Sequence, residues 1–245
     1  MSANRVIDPR AAERRRSILI TISAVMVLVV IAAVVVIWAF SGKDDNGSGG
    51  TAIPTVTTGD AIRITSAPAD TTPPVVITVV EDFQCPACKQ FESIMGPTLN
   101  GFKDNPKVAV DYVSINMLDQ MSTTEYSTRA ANASMCVAEK TGKDGDFDTW
   151  MTFHNALFTS QPAEGGAGLA DTQLVSIAKD AGVTDVADCI KNLEYSKWID
   201  EATATTMGQP GFEGTPSVRI NGDVVKVGTP DELQAKVNAL LEGDK

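Results

Sequence analysis

The longest feature of the hydrophobic pattern runs from Ile18 to Phe40, where only Thr21 and Ser23 interrupt it, so 21 of 23 positions are apolar and none is charged. At about 1.5 Å per residue a helix of that length reaches about 35 Å, against a hydrocarbon core of about 30 Å. The run predicts a single membrane crossing. Residues 41–59 are rich in Gly, Ser, Thr and Asp and offer little to bury, the composition of a flexible linker. Periodic patterning begins near Asp60. Ala61 to Ile64 predicts a short edge strand, and Val75 to Val80 a strand buried on both faces of a parallel or mixed sheet. Phe91, Ile94, Met95, Leu99 and Phe102 follow at helical spacing, with Pro86 at the first helical position and Pro97 placed to kink the helix. Lys107 to Ile115 alternates through Val108, Val110 and Tyr112 as another strand.

From about Ser122 to Met207 the period is helical throughout, with helices predicted over Thr124 to Lys140, Asp146 to Phe158, Thr172 to Ala181 and Asp185 to about Thr205. Strand signals return at Ser217 to Ile220 and Val224 to Val227, joined by Asn221-Gly222-Asp223 as a hairpin. Thr229-Pro230-Asp231-Glu232 opens a last helix with Leu233, Val237, Leu240 and Leu241 on one face. The fold class is therefore α/β, a mixed sheet with flanking helices that a helical block interrupts. Its parts are 60–120, 121–207 and 208–245, preceded by a basic tail at 1–16, the membrane anchor at 17–40 and the linker at 41–59.

Charge orients the anchor. The 245-residue chain carries 20 Lys+Arg against 31 Asp+Glu, a net −11, yet its first 16 residues hold five Arg against Asp8 and Glu13, or +3, leaving −14 for the rest. Arg14, Arg15 and Arg16 directly before the apolar run place the N-terminus in the cytoplasm and everything after Ser41 outside it. A cleaved signal peptide fits less well, because its apolar region is shorter and Ile37-Trp38-Ala39 is a poor cleavage site; either way the same domain is exported. So acidic a domain lacks the concentrated basic face that nucleic acid requires, and no nucleic-acid partner is expected.

Beyond the membrane, disulfides persist, which changes how the four cysteines read. Cys85-Pro86-Ala87-Cys88 stands where the strand passes into the helix. At a helix N-terminus, unpaired amides and the helix dipole favour a thiolate, so Cys85 is the attacked or attacking sulfur, reachable from solvent, and Cys88, one turn in, the more buried resolving thiol. A zinc site would need a second close-spaced ligand pair, and the chain offers only Cys136, Cys189 and its single histidine, His154; haem attachment would need histidine where Lys89 stands. No metal or other cofactor is expected besides the redox-active Cys85–Cys88 pair. A purely structural Cys85–Cys88 bridge would close a very small loop and stabilise least. Cys136 and Cys189, on or beside apolar helix faces, would close a long loop worth about 4 kcal/mol as a structural staple; a second redox relay is the alternative.

These residues resemble the DsbA family of thiol–disulfide oxidoreductases, most closely its membrane-anchored actinobacterial members. The resemblance covers about Val75 to Leu241 and rests on Glu81-Asp82-Phe83-Gln84-Cys85-Pro86-Ala87-Cys88, on Gly214-Thr215-Pro216 leading into a strand and Asn-Gly hairpin, and on the extra cysteine pair. It implies a thioredoxin fold with a helical insertion, catalytic Cys85 and Cys88 supported by Pro86 and Ala87, and a cis Pro216 beside them with Thr215 helping to bind the substrate backbone. A cis bond before proline is cheap compared with any other cis peptide. Two departures stand out. Relatives often bury an acid six residues before the first cysteine, where this chain has Val79, with Glu81 two residues on as a weak replacement; and the dipeptide Pro86-Ala87 lacks the histidine of the best-known oxidases. DsbA proteins are the reference case of a depressed cysteine pKa and a strongly oxidising couple, and only that direction carries over.

The resemblance further implies a monomer that oxidises reduced exported proteins and is reoxidised by an integral-membrane partner of the VKOR or DsbB type. A reductase or isomerase is the alternative within redox chemistry, although residues 41–74 are too short for a dimerisation domain; a binding module or chaperone with an inert pair is the alternative outside it. Asp144, Asp146 and Asp148 imitate a calcium loop but have Thr149 and Asn155 where Gly and Glu are needed, so they read as a helix cap. His154 reads as a packed or surface residue, and Asn132-Ala133-Ser134 matches a glycosylation triplet without significance in a bacterium.

Overall fold

The computed structural model describes residues 50–243. The expected cytoplasmic tail and membrane anchor lie outside them, and among the described residues no helix is long and apolar enough to cross a membrane. Among the described residues, five strands and seven α-helices follow in chain order: β1 (Ile62–Ile64), β2 (Val75–Glu81), α1 (Pro86–Gly101), β3 (Val108–Ser114), α2 (Tyr126–Thr141), α3 (Asp148–Thr159), α4 (Asp171–Asp180), α5 (Ala187–Lys191), α6 (Ser196–Met207), β4 (Ser217–Ile220), β5 (Asp223–Val224) and α7 (Pro230–Gly243). The strands form one mixed sheet in the order β1-β3-β2-β4-β5. β2 is central, parallel to β3 through the α1 crossover and antiparallel to β4.

Alternation along the strands divides the sheet into two faces. Val75, Ile77 and Val79 of β2, with Val108, Val110 and Tyr112 of β3, enter the main core, which runs on through Leu99 of α1, Trp150 and Leu157 of α3, Ile190 of α5 and Val237 of α7. The opposite face is covered by apolar neighbours only toward the strands' C-terminal ends, where Ala61, Val80, Val113 and Ile115 cluster. Further back, Val76 and Thr78 are half-exposed, and Arg63 pairs with Asp111 through two hydrogen bonds of 2.7 Å. The reading of β2 as covered on both faces therefore holds for its last residues only. Asn221 and Gly222 turn the β4–β5 hairpin with φ of 51° and 91°, the left-handed pair that an Asn-Gly turn accommodates. α1 runs unbroken through Pro97, and Ile94, placed by spacing on its apolar face, is exposed, as is Leu240 of α7.

Two expectations change. The helix predicted from Asp185 to Thr205 is two helices, α5 and α6, separated where Leu193 takes a φ of 50°. Tertiary partners take up the backbone groups that this break frees. Buried Asn132 donates to the carbonyls of Cys189 and Ile190, both at 3.3 Å, and accepts from Tyr195 N at 2.9 Å. That burial also removes Asn132 from any modifying enzyme. The second change concerns the linker. Residues 50–59 do not hang free but dock on the helical block, Gly50 N donating to Leu193 O at 2.9 Å and Ala52 N to Glu194 O at 3.0 Å, while the Glu139 carboxylate accepts from the backbone of Thr55 and Val56 and from the Thr55 hydroxyl. Polar composition concealed this because the docking is made by backbone amides, which every sequence carries.

Cys136 of α2 and Cys189 of α5 form a disulfide, their Cα atoms 6.0 Å apart. Since the bridge ties positions 53 apart, replacing both cysteines by serine should lower unfolding free energy by about 2–4 kcal/mol in urea while the Cys85–Cys88 chemistry survives. Unchanged stability would show that packing alone holds the block together.

Candidate active site

β2 ends at Glu81, and the chain turns through Asp82-Phe83-Gln84 into α1. Cys85 is the N-cap, extended at φ −74° and ψ 116°, and Pro86 fills the first helical position, where no backbone donor is needed. The turn is held from three sides. The Asp82 carboxylate accepts from Gln84 N at 2.8 Å and Leu118 N at 2.9 Å, the Gln84 amide donates to Leu118 O at 2.7 Å, and Cys85 N donates to Asp82 O at 2.9 Å. Gln161, beyond the end of α3, donates to the carbonyls of Phe83 and Cys85 at 2.9 and 3.0 Å. Burial pushes the Asp82 carboxyl up to about 6 against the hydrogen bonds from the amides of Gln84 and Leu118. Asp82 and Gln161 are positioning residues that sequence reasoning missed. Asp82 lies inside the quoted motif, whereas nothing local marks Gln161.

Cys85 and Cys88 are both free thiols, and Pro86 and Ala87 between them are exposed. Cys85 is more covered than its helix-end position suggested, with 6 % exposure, and Cys88 has none. The Thr215–Pro216 bond is cis, and as a thiol Cys85 donates to Thr215 O at 3.4 Å, so residues 130 positions apart share the site. As a thiolate, Cys85 is held at about 6: the hydrogen bond from the Cys88 thiol lowers it most, burial opposes, and the amides of Cys88 and Ala87 lower it further. Burial, then the neighbouring Cys85 and Glu81, push the Cys88 thiol far upward. At neutral pH one sulfur is therefore a thiolate and the other a thiol that donates to it.

Behind this pair lies a charged cluster. Glu81, the expected weak replacement for a buried acid, is fully buried, and His154, also fully buried, donates from Nε2 to its Oε1 at 2.8 Å. Glu92, on the first turns of α1, is buried beside them, so three groups far apart in sequence meet. Burial disfavours the imidazolium, but Glu81, by charge and hydrogen bond, with Glu92 and Asn155, outweighs it and raises His154 to about 9. Asp146 only accepts from Asp148 N at 2.9 Å; the N-cap of α3 is Phe147, without a side-chain cap, so the expected aspartate cap is replaced by this turn one residue earlier.

The Thioredoxin family model matches residues 69–239. DsbA of Mycobacterium tuberculosis in its reduced form is 36% identical, covering 75% of this chain and 93% of that one with a TM-score of 0.65. The chain belongs to the DsbA-like thioredoxin family. The disulfide bond oxidoreductase DsbG of M. tuberculosis, in its reduced form, resembles this DsbA-like chain at 37% identity and a TM-score of 0.66, over 76% of this chain and 89% of that one. Among curated relatives, disulfide bond formation protein D of Bacillus subtilis is 27% identical over 68% of this chain and 73% of its own. The serine/threonine-protein kinase PknE of M. tuberculosis is 32% identical over 65% of this chain, which spans 29% of the kinase's length.

The depressed Cys85 pKa has a stability consequence of definite sign. Between its folded value of about 6 and its unfolded value of about 8.5 the unfolded chain binds the extra proton, so the dithiol form gains stability as pH rises through that window, and loses it as pH falls to about 6. The disulfide form has no such thiol. The thiolate absorbance of the reduced protein should rise with a midpoint near pH 6, and Cys85→Ala should abolish that step; a midpoint above 8 would contradict the site electrostatics.

Proposed function

We propose that this chain is a membrane-anchored thiol–disulfide oxidoreductase that introduces disulfides into exported proteins. The observation that carries the proposal is the geometry of the pair: Cys85 heads α1 against Thr215 O of the cis Thr215–Pro216 bond, with Cys88 one turn in and wholly buried, an arrangement that favours a thiolate at Cys85 and a thiol at Cys88. A substrate thiolate attacks Cys85 Sγ of the oxidised pair, forming a mixed disulfide and displacing Cys88, which takes up a proton. The second substrate thiolate then attacks the substrate sulfur of that mixed disulfide and displaces Cys85, which leaves as a stable thiolate. Two electrons pass from the substrate dithiol to the Cys85–Cys88 pair. Thr215, which lies beside Cys85 and before the cis proline, serves in this reading to bind the backbone of the attacking segment.

The compartment belongs to the same proposal. The Arg-flanked apolar run at Ile18 to Phe40 anchors the chain with its N-terminus in the cytoplasm, and the domain works on the outer side, where disulfides persist. The reduced pair returns to its disulfide by passing two electrons to an integral-membrane reoxidant of the VKOR or DsbB type. A reductase would use the same sulfurs in the opposite direction, and the low Cys85 pKa argues against it because it stabilises the dithiol form that a reductase must give up; an isomerase would start from the Cys85 thiolate and return to it with no net redox change. The oxidised full-length chain in detergent should accelerate disulfide formation and refolding of a reduced multi-disulfide protein, Cys85→Ala should abolish this, and Cys88→Ala should accumulate mixed disulfides. No acceleration by the oxidised chain would overturn the proposal.

A further inference from the structure

Glu81, Glu92 and His154 each offer one ligand atom, and these three atoms lie within 4.8 Å of one another. Three of the four carboxylate oxygens, Oε2 of Glu81 and both of Glu92, are buried with no hydrogen-bond partner among the described residues. Glu92 is only 7 % exposed and Glu81 not at all. Carboxylate oxygens removed from water without partners are costly, and a cation is one group that satisfies several at once. The histidine is arranged as metal-bound histidines are. Its Nδ1 faces Asn155 Oδ1 at 3.2 Å, which holds Nε2 toward the carboxylates, and Phe83, Tyr112, Trp150 and Phe158 fix the ring at centroid distances of 5.0 to 5.6 Å. A cleft of about 430 Å³ between α1 and α3, lined by Gly96, Asn155 and Phe158 among others, has Glu92 of the cluster in its wall. A Cβ at Gly96 would stand 3.2 Å from Glu92 Oε2, so glycine there leaves this carboxylate clear.

We propose that Glu81, Glu92 and His154 form a site for a divalent transition-metal ion, Zn²⁺ being the best match, with a water from the cleft as fourth ligand. Two carboxylates and one imidazole suit zinc's oxygen and nitrogen preferences, and three protein ligands with one open position is a common zinc arrangement. Bond lengths of about 2.0–2.1 Å put tetrahedral ligands about 3.3 Å apart. His154 Nε2 and Glu81 Oε1, now at 2.8 Å, need to separate slightly while the remaining donors close in, movements that the Glu side chains accommodate by rotation. Two carboxylates and a neutral imidazole balance the charge of a divalent ion, so the filled site is neutral in its apolar surroundings. Binding expels the proton that Nε2 now gives to Glu81, and that of Glu92 when it carries one. Ligands at positions 81, 92 and 154 follow no short spacing, which is why the sequence showed no metal motif.

His154 is the only histidine in the chain, so its ring reports on this site alone. The full-length chain in detergent, purified without a histidine tag and oxidised so that Cys85 and Cys88 cannot ligate, is titrated with Zn²⁺ while ¹⁵N-labelled His154 is followed by NMR and the metal counted by calorimetry. The expected result is one Zn²⁺ per chain, a shift of the His154 ring nitrogens, a rise in Tm with Zn²⁺, and at least a tenfold loss of affinity in Glu92→Gln. Glu92→Gln keeps the shape of the side chain, and its folding is checked by its unperturbed spectrum without metal. An unmoved His154 ring, no zinc-dependent Tm shift, or undiminished affinity in Glu92→Gln would overturn the site. None of these readouts depends on oxidase activity, so the metal site and the proposed function fail separately.

Discussion

A cysteine thiolate at the head of a helix is stable only while the donors around it stay fixed, and the chemistry of this chain depends on how the Cys85 sulfur is surrounded. Its donors come from one turn of α1, the Cys88 thiol and the amides of Ala87 and Cys88. None of these is a cation. The dipeptide Pro86-Ala87 supplies no charge, so the thiolate rests on oriented dipoles and hydrogen bonds alone. Such stabilisation falls steeply when donors drift. This gives the surrounding scaffold its purpose: Asp82, Gln84 and Gln161 fasten the turn before α1 so that the amides keep their direction.

The helical block contributes to this in a way that its position in the sequence does not announce. α3 brings His154 beneath the end of β2, and the segment after it brings Gln161 to the carbonyl of Cys85. The block is in turn held by the Cys136–Cys189 bridge, by buried Asn132 and by the docked segment at 50–59. Buried polar groups that are satisfied specify one arrangement, since any slip leaves them unpaired. The insertion is thus part of the redox site's frame and not an appendage to it.

Much of this was legible in the sequence. Alternation and helical spacing located β2, β3, the α1 face and the hairpin, because each buries a regular stripe of apolar side chains. Pro86, Cys85 and Cys88 were legible because a proline and two cysteines at a strand-to-helix junction have few other uses. What escaped was decided by partners distant in sequence. The break at Leu193 depends on Asn132 and Gly50, and a pattern of periodic residues through Val186, Cys189 and Ile190 carries no trace of either. His154 was read as packed or surface and is packed, but its pairing with Glu81 and its approach to Glu92 arise from the fold alone. Gln161, a polar residue in a loop, had no local signature at all.

A site that stabilises the Cys85 thiolate makes the disulfide easy to reduce. The most direct test is the reduction potential of the Cys85–Cys88 pair, measured on the full-length chain by equilibration with glutathione buffers at pH 7. Thiolate stabilisation puts it well above the roughly −270 mV of thioredoxin, toward the roughly −120 mV of strongly oxidising DsbA. A potential at or below that of thioredoxin would contradict it.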